Sequence, residues 1–227
     1  MNHVRIKTAD GSSTLLHEVL GETYHSTKGA VEESVHVYIN AGLKHLQEQR
    51  KNNSLHLLEV GYGTGLNALL TMIHSIGEVH YTAIEPFPLP EEEQYTAREL
   101  QALGYQIPDA IAANHWTVPI AAKQALFQRI TARFFLRKLK CSLSELHAPH
   151  TFDLVYYDAF APKYQPEMWT AQSWNHLKTL MKPGSVAVTY CAQGAFRRML
   201  QIAHWQVERL RGAKGHKREM IRATLCV

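Results

Sequence analysis

The sequence predicts an α/β protein built on one mostly parallel sheet with helices on both faces, and three observations carry that expectation. Strand-like apolar runs alternate with stretches of helical spacing from Leu55 to about His204. The turn after the first of those runs is crowded with Gly61, Gly63 and Gly65, where a strand would hand over to a helix. Two further strand-like runs, WQVERL and EMIRATLCV, follow with only the Gly212 to Arg218 loop between them, the pattern of an antiparallel hairpin closing a sheet edge. With 227 residues, 45% hydrophobic and 19% charged, the chain suits one large domain with a sizeable core, and neither disorder nor a disulfide scaffold.

Taken in order, VRIKTA and TLLHEVL flank the turn signal Asp10-Gly11-Ser12-Ser13 and read as a hairpin. From Ala30, the residues Val31, Val35, Tyr38, Ile39 and Leu43 fall near a 3.6 spacing, so a helix is expected through Leu46. LHLLEV (55–60) is the first long strand, 66–75 a helix, VHYTAIE (79–85) a strand and 91–103 a helix. TARFFLRKL, FDLVYYDAF and SVAVTYC are further strands, with a helix over 170–181 between the last two and another near 195–204. Together with the hairpin this makes a seven-stranded sheet. The stretch from Gln106 to Arg129, with His115, Trp116 and Pro119, fits no element; Trp116 reads as a packing residue rather than a base-stacking platform.

Composition narrows the function classes. No run approaches the roughly 18 to 20 apolar residues of a membrane span, and MNHVRIKTADG lacks the apolar core of a signal peptide, so a cytoplasmic protein is expected. Cys141, Cys191 and Cys226 are widely spaced and form no CxxC, which speaks against zinc and against disulfides. No metal is expected. The charge is unevenly spread: from Gly194 onward, Arg197, Arg198, Arg209, Arg211, Lys214, Lys217, Arg218 and Arg222 face only Glu208 and Glu219, a local net of +6 on a chain of +4. A basic stretch of that kind fits a polyanionic partner, against the plainer reading of a solvated charged face.

The sharpest motif is Glu59-Val60-Gly61-Tyr62-Gly63-Thr64-Gly65-Leu66-Asn67. Glycines there let the backbone approach a ligand closely at a helix N-terminus. A dinucleotide fingerprint would place its third small residue at Leu66, and the third glycine comes one position early; no GKS or GKT is present for a P-loop. Glu59 would repel a pyrophosphate but attract an ammonium. Glu85 ends the next strand about 20 residues on, where a carboxylate accepts hydrogen bonds from ribose hydroxyls. Asp158, in Tyr156-Tyr157-Asp158-Ala159-Phe160-Ala161-Pro162, sits at the tip of a later strand, where open α/β sheets bind ligands. A carboxylate there suits an amine acceptor, whose ammonium must lose a proton before its lone pair can attack.

This layout resembles the class I S-adenosylmethionine methyltransferases, a Rossmann-like fold, over residues 55–227. The segments DGSSTL, GETYHSTKGAVEESVHVYINAGL, LEVGYGTGLN, YYDAFAPKYQPEMWT, VTYCAQGAFRR and GHKREMIRA are similar to the methyltransferase half of the MnmC family, and more so to its stand-alone MnmD form. The resemblance implies methyl transfer from S-adenosylmethionine to the exocyclic amine of 5-aminomethyl-2-thiouridine at the wobble position of tRNA. It implies an N-terminal extension over residues 1–50 (hairpin, lid and helix) on a methyltransferase domain over residues 51–227, and, with the chain stopping at Val227, no FAD and no oxidase domain. Carried over by motif, Glu59, Gly61, Tyr62, Gly63, Thr64, Gly65 and Asn67 would surround the cofactor, with Glu85 and Pro86 at its ribose. Asp158 would hold the acceptor nitrogen beside Phe160, and Tyr24 of Tyr24-His25-Ser26 would close over the site, supported by Glu33.

One departure stands out. Where relatives place an acid after the third strand to meet the adenine amino group, this chain reads Lys140-Cys141-Ser142-Leu143, so Ser142 or a backbone carbonyl would have to substitute. For the anticodon stem-loop of tRNA the candidates are Arg197, Arg198, Lys214, Lys217 and Arg218, with Arg133, Arg137 and Lys138 as a second cluster. Two competing readings are methylation or aminopropylation of a free small amine, which the basic stretch disfavours, and a catalytically silent RNA-binding module, which the glycine loop and Asp158 disfavour.

Overall fold

The computed structural model describes residues 3–50, 54–108, 111–112, 120–121, 125–213 and 219–226. The chain opens with a small antiparallel sheet, β1 (His3–Lys7), β2 (Ser13–His17) and β3 (Glu22–Thr23). Asp10 organises the turn between β1 and β2. Its Oδ1 accepts hydrogen bonds from Thr8 Oγ1, Ser12 N and Ser12 Oγ, and its Oδ2 from the Glu32 backbone N–H in the first turn of the next helix. A carboxylate at a helix N-terminus is favoured by the exposed amide dipoles there, and despite burial these bonds keep the Asp10 carboxyl below its ordinary pKa.

The predicted helix from Ala30 runs as three contiguous segments, α1 (Ala30–Ser34), a π-helical stretch (Val35–Lys44) and α2 (His45–Gln49). It packs closely on the sheet because Gly42 has no side chain: a Cβ there would come within 3.0 Å of Val188 and 3.2 Å of Tyr156. The main sheet then follows, with β4 (Ser54–Val60), α3 (Leu66–His74), β5 (Glu78–Ile84), α4 (Ala97–Ala102), β6 (Ile120–Ala121), β7 (Gln128–Arg129), β8 (Phe134–Leu139), β9 (Phe152–Tyr157), α5 (Ala171–Leu180), β10 (Met181–Thr189), α6 (Gly194–Ile202), β11 (Trp205–Arg211) and β12 (Glu219–Leu225).

The strand order is β11-β12-β10-β9-β4-β5-β8-β6, with β7 also on β8. β4, β5, β8, β9 and β10 are mutually parallel, while β12 runs antiparallel to both β10 and β11, which is the expected hairpin. Among the described residues the sheet holds nine strands, the seven expected and two more. The two extra ones are the two-residue β6 and β7, which come from the stretch that carried no periodic signal; His115, Trp116 and Pro119 lie outside the described residues.

Side chains alternate across each strand, so the sheet feeds two cores. Leu57, Tyr81, Leu136, Leu154, Tyr156 and Val188 face the helices from α1 to α4, and Leu58, Val155, Tyr157 and Ala187 face α5 and α6 with Trp174, Phe196 and Trp205. The helix expected over 91–103 is shorter. Tyr95 is buried, donating from its N–H to the Thr64 carbonyl, and Thr96 and Glu99 form a reciprocal capping box that starts α4 only at Ala97. The T-x-x-E spacing of that box is present in the sequence.

Candidate functional site

Strand register builds the site. Val60 of β4 pairs with Ile84 of β5 and with Tyr157 of β9, so the next residue of each strand, Gly61, Glu85 and Asp158, leaves the sheet from one row. The strand order reverses at β4, the position where open α/β sheets bind ligands. A cleft of about 1910 Å³ opens there, walled on one side by β2, β3 and the 24–28 segment.

The glycine loop is held tightly and from within. Gly61 N and Tyr62 N donate to the Ile84 carbonyl, Gly63 N to Glu85 Oε2 at 3.2 Å and Gly65 N to the Tyr62 carbonyl. Those four amides are therefore engaged within the loop and by Glu85. Acceptors remain: carbonyls and the carboxylates Glu85 and Asp158 line the cleft. The two carboxylates in this row favour a ligand that brings hydroxyls and positive charge to them. Gly61 approaches Asp158 so closely that a Cβ on it would lie 2.6 Å from the Asp158 carbonyl oxygen, and its φ of +90° suits glycine.

Glu85 accepts one backbone bond on each oxygen, from Gly63 N and from Phe87 N at 3.0 Å, which fixes its plane and leaves a lone pair on each oxygen for a diol. Burial raises its pKa even so. Asp158 is anchored in the same manner. Tyr38 Oη donates to its Oδ1 at 2.5 Å and Asn67 Nδ2 to its Oδ2 at 2.8 Å. Asn67 Nδ2 also donates to Glu59 Oε1 at 2.9 Å, so one amide bridges two carboxyls. Burial pushes Asp158 up to about 6, against the two hydrogen bonds that pull it down; Glu59, with no exposure at all, lies well above the usual carboxylate range for the same reason, with the Asp158 charge adding to it. Asp158 therefore binds its proton more tightly in the fold than in the unfolded chain. Its contribution to stability is fullest below its ordinary value of 3.8 and is lost as pH rises to about 6.

Tyr24 and Phe160 meet edge to face, 5.0 Å between centroids, and the Tyr24 ring lies over Gly63, where a Cβ would come within 3.1 Å of it. Phe160 is itself fixed, its N–H on Gln165 Oε1 and its carbonyl on Trp169 Nε1. His25 joins the Tyr24 segment to the loop through Nε2 and Thr64 Oγ1 at 2.6 Å; burial lowers it to about 4, so it is neutral and structural.

Of the residues expected at the cofactor, Gly61, Tyr62, Gly63, Glu85, Pro86, Ser142 and Asp158 line the cleft, as do Tyr24 and Phe160. Glu59, Thr64, Gly65 and Asn67 stand behind its wall and shape it from there. Ser142 is engaged in a capping box with Glu145, its hydroxyl on Glu145 Oε2 at 2.8 Å. Arg197 and Arg198 lie on α6 and do not line the cleft, and Lys214, Lys217 and Arg218 fall outside the described residues; Ala213 and Glu219, on either side of them in sequence, line the cleft.

The second basic cluster is not a patch. Arg137 and Lys138 are successive strand residues and point to opposite faces. Arg137 bonds Thr82 Oγ1 and lies over the Phe127 ring, Lys138 is 4% exposed over Tyr62 and pushed down to about 8 by burial, and Arg133 bonds the Ile76 carbonyl. In the hairpin, Arg209 and Arg222 are neutralised by Glu219 and Glu208. Among the described residues no cluster of three or more His, Cys, Asp or Glu could hold a metal, and no helix is long and apolar enough to cross a membrane.

Tyr38, Tyr190 and Phe87 were not expected here. Tyr38 was legible only as an apolar helix position; its hydroxyl gains meaning from Asp158, 120 residues away. Tyr190 ends β10's apolar run and donates to the Ala159 carbonyl beside Asp158. Phe87, 70% exposed at the cleft rim, stands between two prolines that stiffen it.

Comparison with known proteins adds to this geometry. A family model described as S-adenosyl-L-methionine-dependent methyltransferase matches residues 106–226. The tRNA 5-methylaminomethyl-2-thiouridine biosynthesis bifunctional protein MnmC of Ectopseudomonas mendocina is 29% identical over 212 residues, covering 88% of this chain and 32% of that one. Its namesake from Leptospira interrogans is 28% identical over 217 residues, covering 92% and 33%. The chain thus spans about a third of the length of these relatives. The crystal structure of MnmC2 from Aquifex aeolicus shares the fold, with a TM-score of 0.76 at 24% identity over 99% of this chain and 70% of that one.

Proposed function

The chain belongs to the S-adenosyl-L-methionine-dependent methyltransferase family, and we propose that it methylates the exocyclic amine of 5-aminomethyl-(2-thio)uridine at the wobble position of tRNA, in the cytoplasm. The observation that carries this reading is the anchoring of Asp158: a buried carboxylate, both oxygens held by neutral donors, facing a cleft wide enough for a nucleotide. The names of the MnmC relatives support the RNA substrate.

The wall fits the cofactor. Acceptor-only surfaces at Glu85 and Asp158, and a Gly61 where any Cβ would collide, suit a ligand with a ribose diol and a cationic amino acid part. When bound, S-adenosylmethionine supplies an electrophilic methyl group on a sulfonium. The protein's part is to deliver a neutral amine. Near neutral pH Asp158 is mostly ionised and an alkyl amine is protonated, so the two attract, and the lone pairs of Asp158 not used by Tyr38 and Asn67 receive the ammonium. Asp158 then takes the proton, a transfer eased by the burial that lifts its pKa toward that of the amine. Tyr24 and Phe160 wall the acceptor and keep bulk water from it. Residues 1–50 serve as the extension that supplies Tyr24, and the basic residues Arg197, Arg198, Lys214, Lys217 and Arg218 hold the anticodon stem-loop by its phosphates.

The test is transfer of labelled methyl from S-adenosylmethionine to bulk tRNA from cells lacking this gene, followed by nucleoside analysis. Label in 5-methylaminomethyl-2-thiouridine or its oxygen analogue is the expected result; label in a small amine and none in RNA overturns the substrate assignment.

Tyr38 gives a sharper check on the role of Asp158. Its hydroxyl stabilises the ionised form, so Tyr38→Phe raises the Asp158 pKa and moves the acid limb of the kcat/KM profile to higher pH. Turnover near neutral pH should fall about tenfold, the scale of one charge-assisted hydrogen bond, and recover in part in alkaline buffer. A flat loss at every pH would show that Tyr38 acts only through packing.

A further inference from the structure

The cleft is larger than a cofactor and one nucleoside require: about 1910 Å³, against the roughly 300–1000 Å³ of ordinary small-molecule pockets. The unused part lies toward β1 and β2, where His3 and His17 line the wall. There the rings continue the aromatic wall of the acceptor site. Phe160 meets Tyr24 at 5.0 Å, Tyr24 meets His3 at 5.7 Å, and His3 meets His17 at 5.1 Å, each edge to face.

His3 carries the second observation. Its side chain is 5% exposed, its Nδ1 lies 2.7 Å from Glu93 Oε2, and its Nε2 is buried with no hydrogen-bond partner. A carboxylate can only accept, so Nδ1 carries a proton and the imidazole is held with Nε2 as its unused polar atom. His17 is complementary: its Nδ1 accepts from the Leu20 N–H at 3.3 Å, which leaves its proton on Nε2. An unpartnered buried nitrogen costs free energy unless a ligand satisfies it. Polar ring nitrogens among ring faces match the edge and face of a nucleobase. A phosphate is disfavoured, because Glu22, Glu85 and Glu93 surround this end of the cleft.

We propose that His3, oriented by Glu93, and His17 form a second nucleobase subsite, which takes the base next to the methylated uridine. The proposal rests on the tRNA reading above. A splayed single-stranded loop presents successive unstacked bases, and a row of rings ending at the acceptor wall is a surface on which the neighbour of the target base comes to rest.

The experiment uses an anticodon stem-loop carrying 5-aminomethyluridine, together with versions in which the nucleotide on either side is abasic, and compares the wild-type protein with His3→Ala and His3→Gln. With wild-type protein, one of the abasic changes should raise KM about tenfold, the scale of one stacked base. His3→Ala should raise KM for the intact stem-loop to a similar degree and show little further rise with that abasic version, while His3→Gln, which restores a polar hydrogen-bonding group, recovers part of the loss. Affinity for S-adenosylmethionine and the melting temperature report any damage to the fold, and loss of either in both variants counts against a binding role. Equal KM for wild type and His3→Ala, or independent multiplying losses from the variant and the abasic site, overturns the subsite. If wild-type protein methylates no stem-loop at all, the tRNA reading itself fails, a result distinct from every variant effect.

Discussion

Asp158→Asn lowers methyl transfer by about 10³-fold while S-adenosylmethionine still binds, the scale expected when a positioned acid–base group is lost. The amide keeps the shape of the carboxyl but has one acceptor oxygen where Tyr38 and Asn67 now use two, and it carries no charge to draw in an ammonium. Calorimetric titration of the cofactor and single-turnover transfer to tRNA separate the two effects. Turnover within about tenfold of wild type removes Asp158 from the chemistry. Loss of cofactor affinity in step with turnover makes it a wall residue instead. In the wild-type protein, activity declines as pH falls through about 6, because protonation of Asp158 removes the charge that holds the amine.

Gly61→Ala combines two penalties. The backbone there has φ +90°, and the new methyl group would sit 2.6 Å from the carbonyl oxygen of Asp158, a contact that backbone on both sides must move to relieve. A loss of about 3 kcal/mol in unfolding free energy follows from strain of this kind. Because the group displaced is the main chain of Asp158, cofactor affinity should fall at least about 100-fold as well. Denaturant unfolding and cofactor titration check both. An alanine variant that unfolds and binds like wild type would mean that the two strand ends do not meet as described.

Much of the sheet could be read from pattern alone because its strands are buried on both faces and appear as unbroken apolar runs, as in FDLVYY. The glycine loop and its acids were legible because backbone conformation and charge leave few residue choices at strand ends. What pattern could not supply were relations across the chain. The motif points Asn67 at the cofactor, and only the fold shows its amide between Glu59 and Asp158. Tyr38 has the look of a core residue until its hydroxyl meets Asp158. The basic triplet in Arg133, Arg137 and Lys138 misled for the opposite reason: proximity in sequence along a strand separates side chains onto two faces, and a lysine stem can be buried against a ring. The 91–103 stretch failed because helical spacing continued across a point where Tyr95 is tied to the glycine loop.

The position of β12 has a consequence for how the chain folds. β12 lies between β10 and β11, so β11, which is earlier in the chain, has no partner until residues 219–225 exist. The two strands lie close together in sequence and pair residue for residue from Trp205–Leu225 to Arg211–Glu219, so they can zip locally at small entropic cost and then dock as one unit on the free edge of β10. That docking carries Met220, Ile221 and Ala223 into the core and sets Gly212, Ala213 and Glu219 at the mouth of the cleft. A chain caught before this step would already hold the row of Gly61, Glu85 and Asp158 but would lack the rim, so the pocket is finished by the same event that adds the last two strands to the sheet.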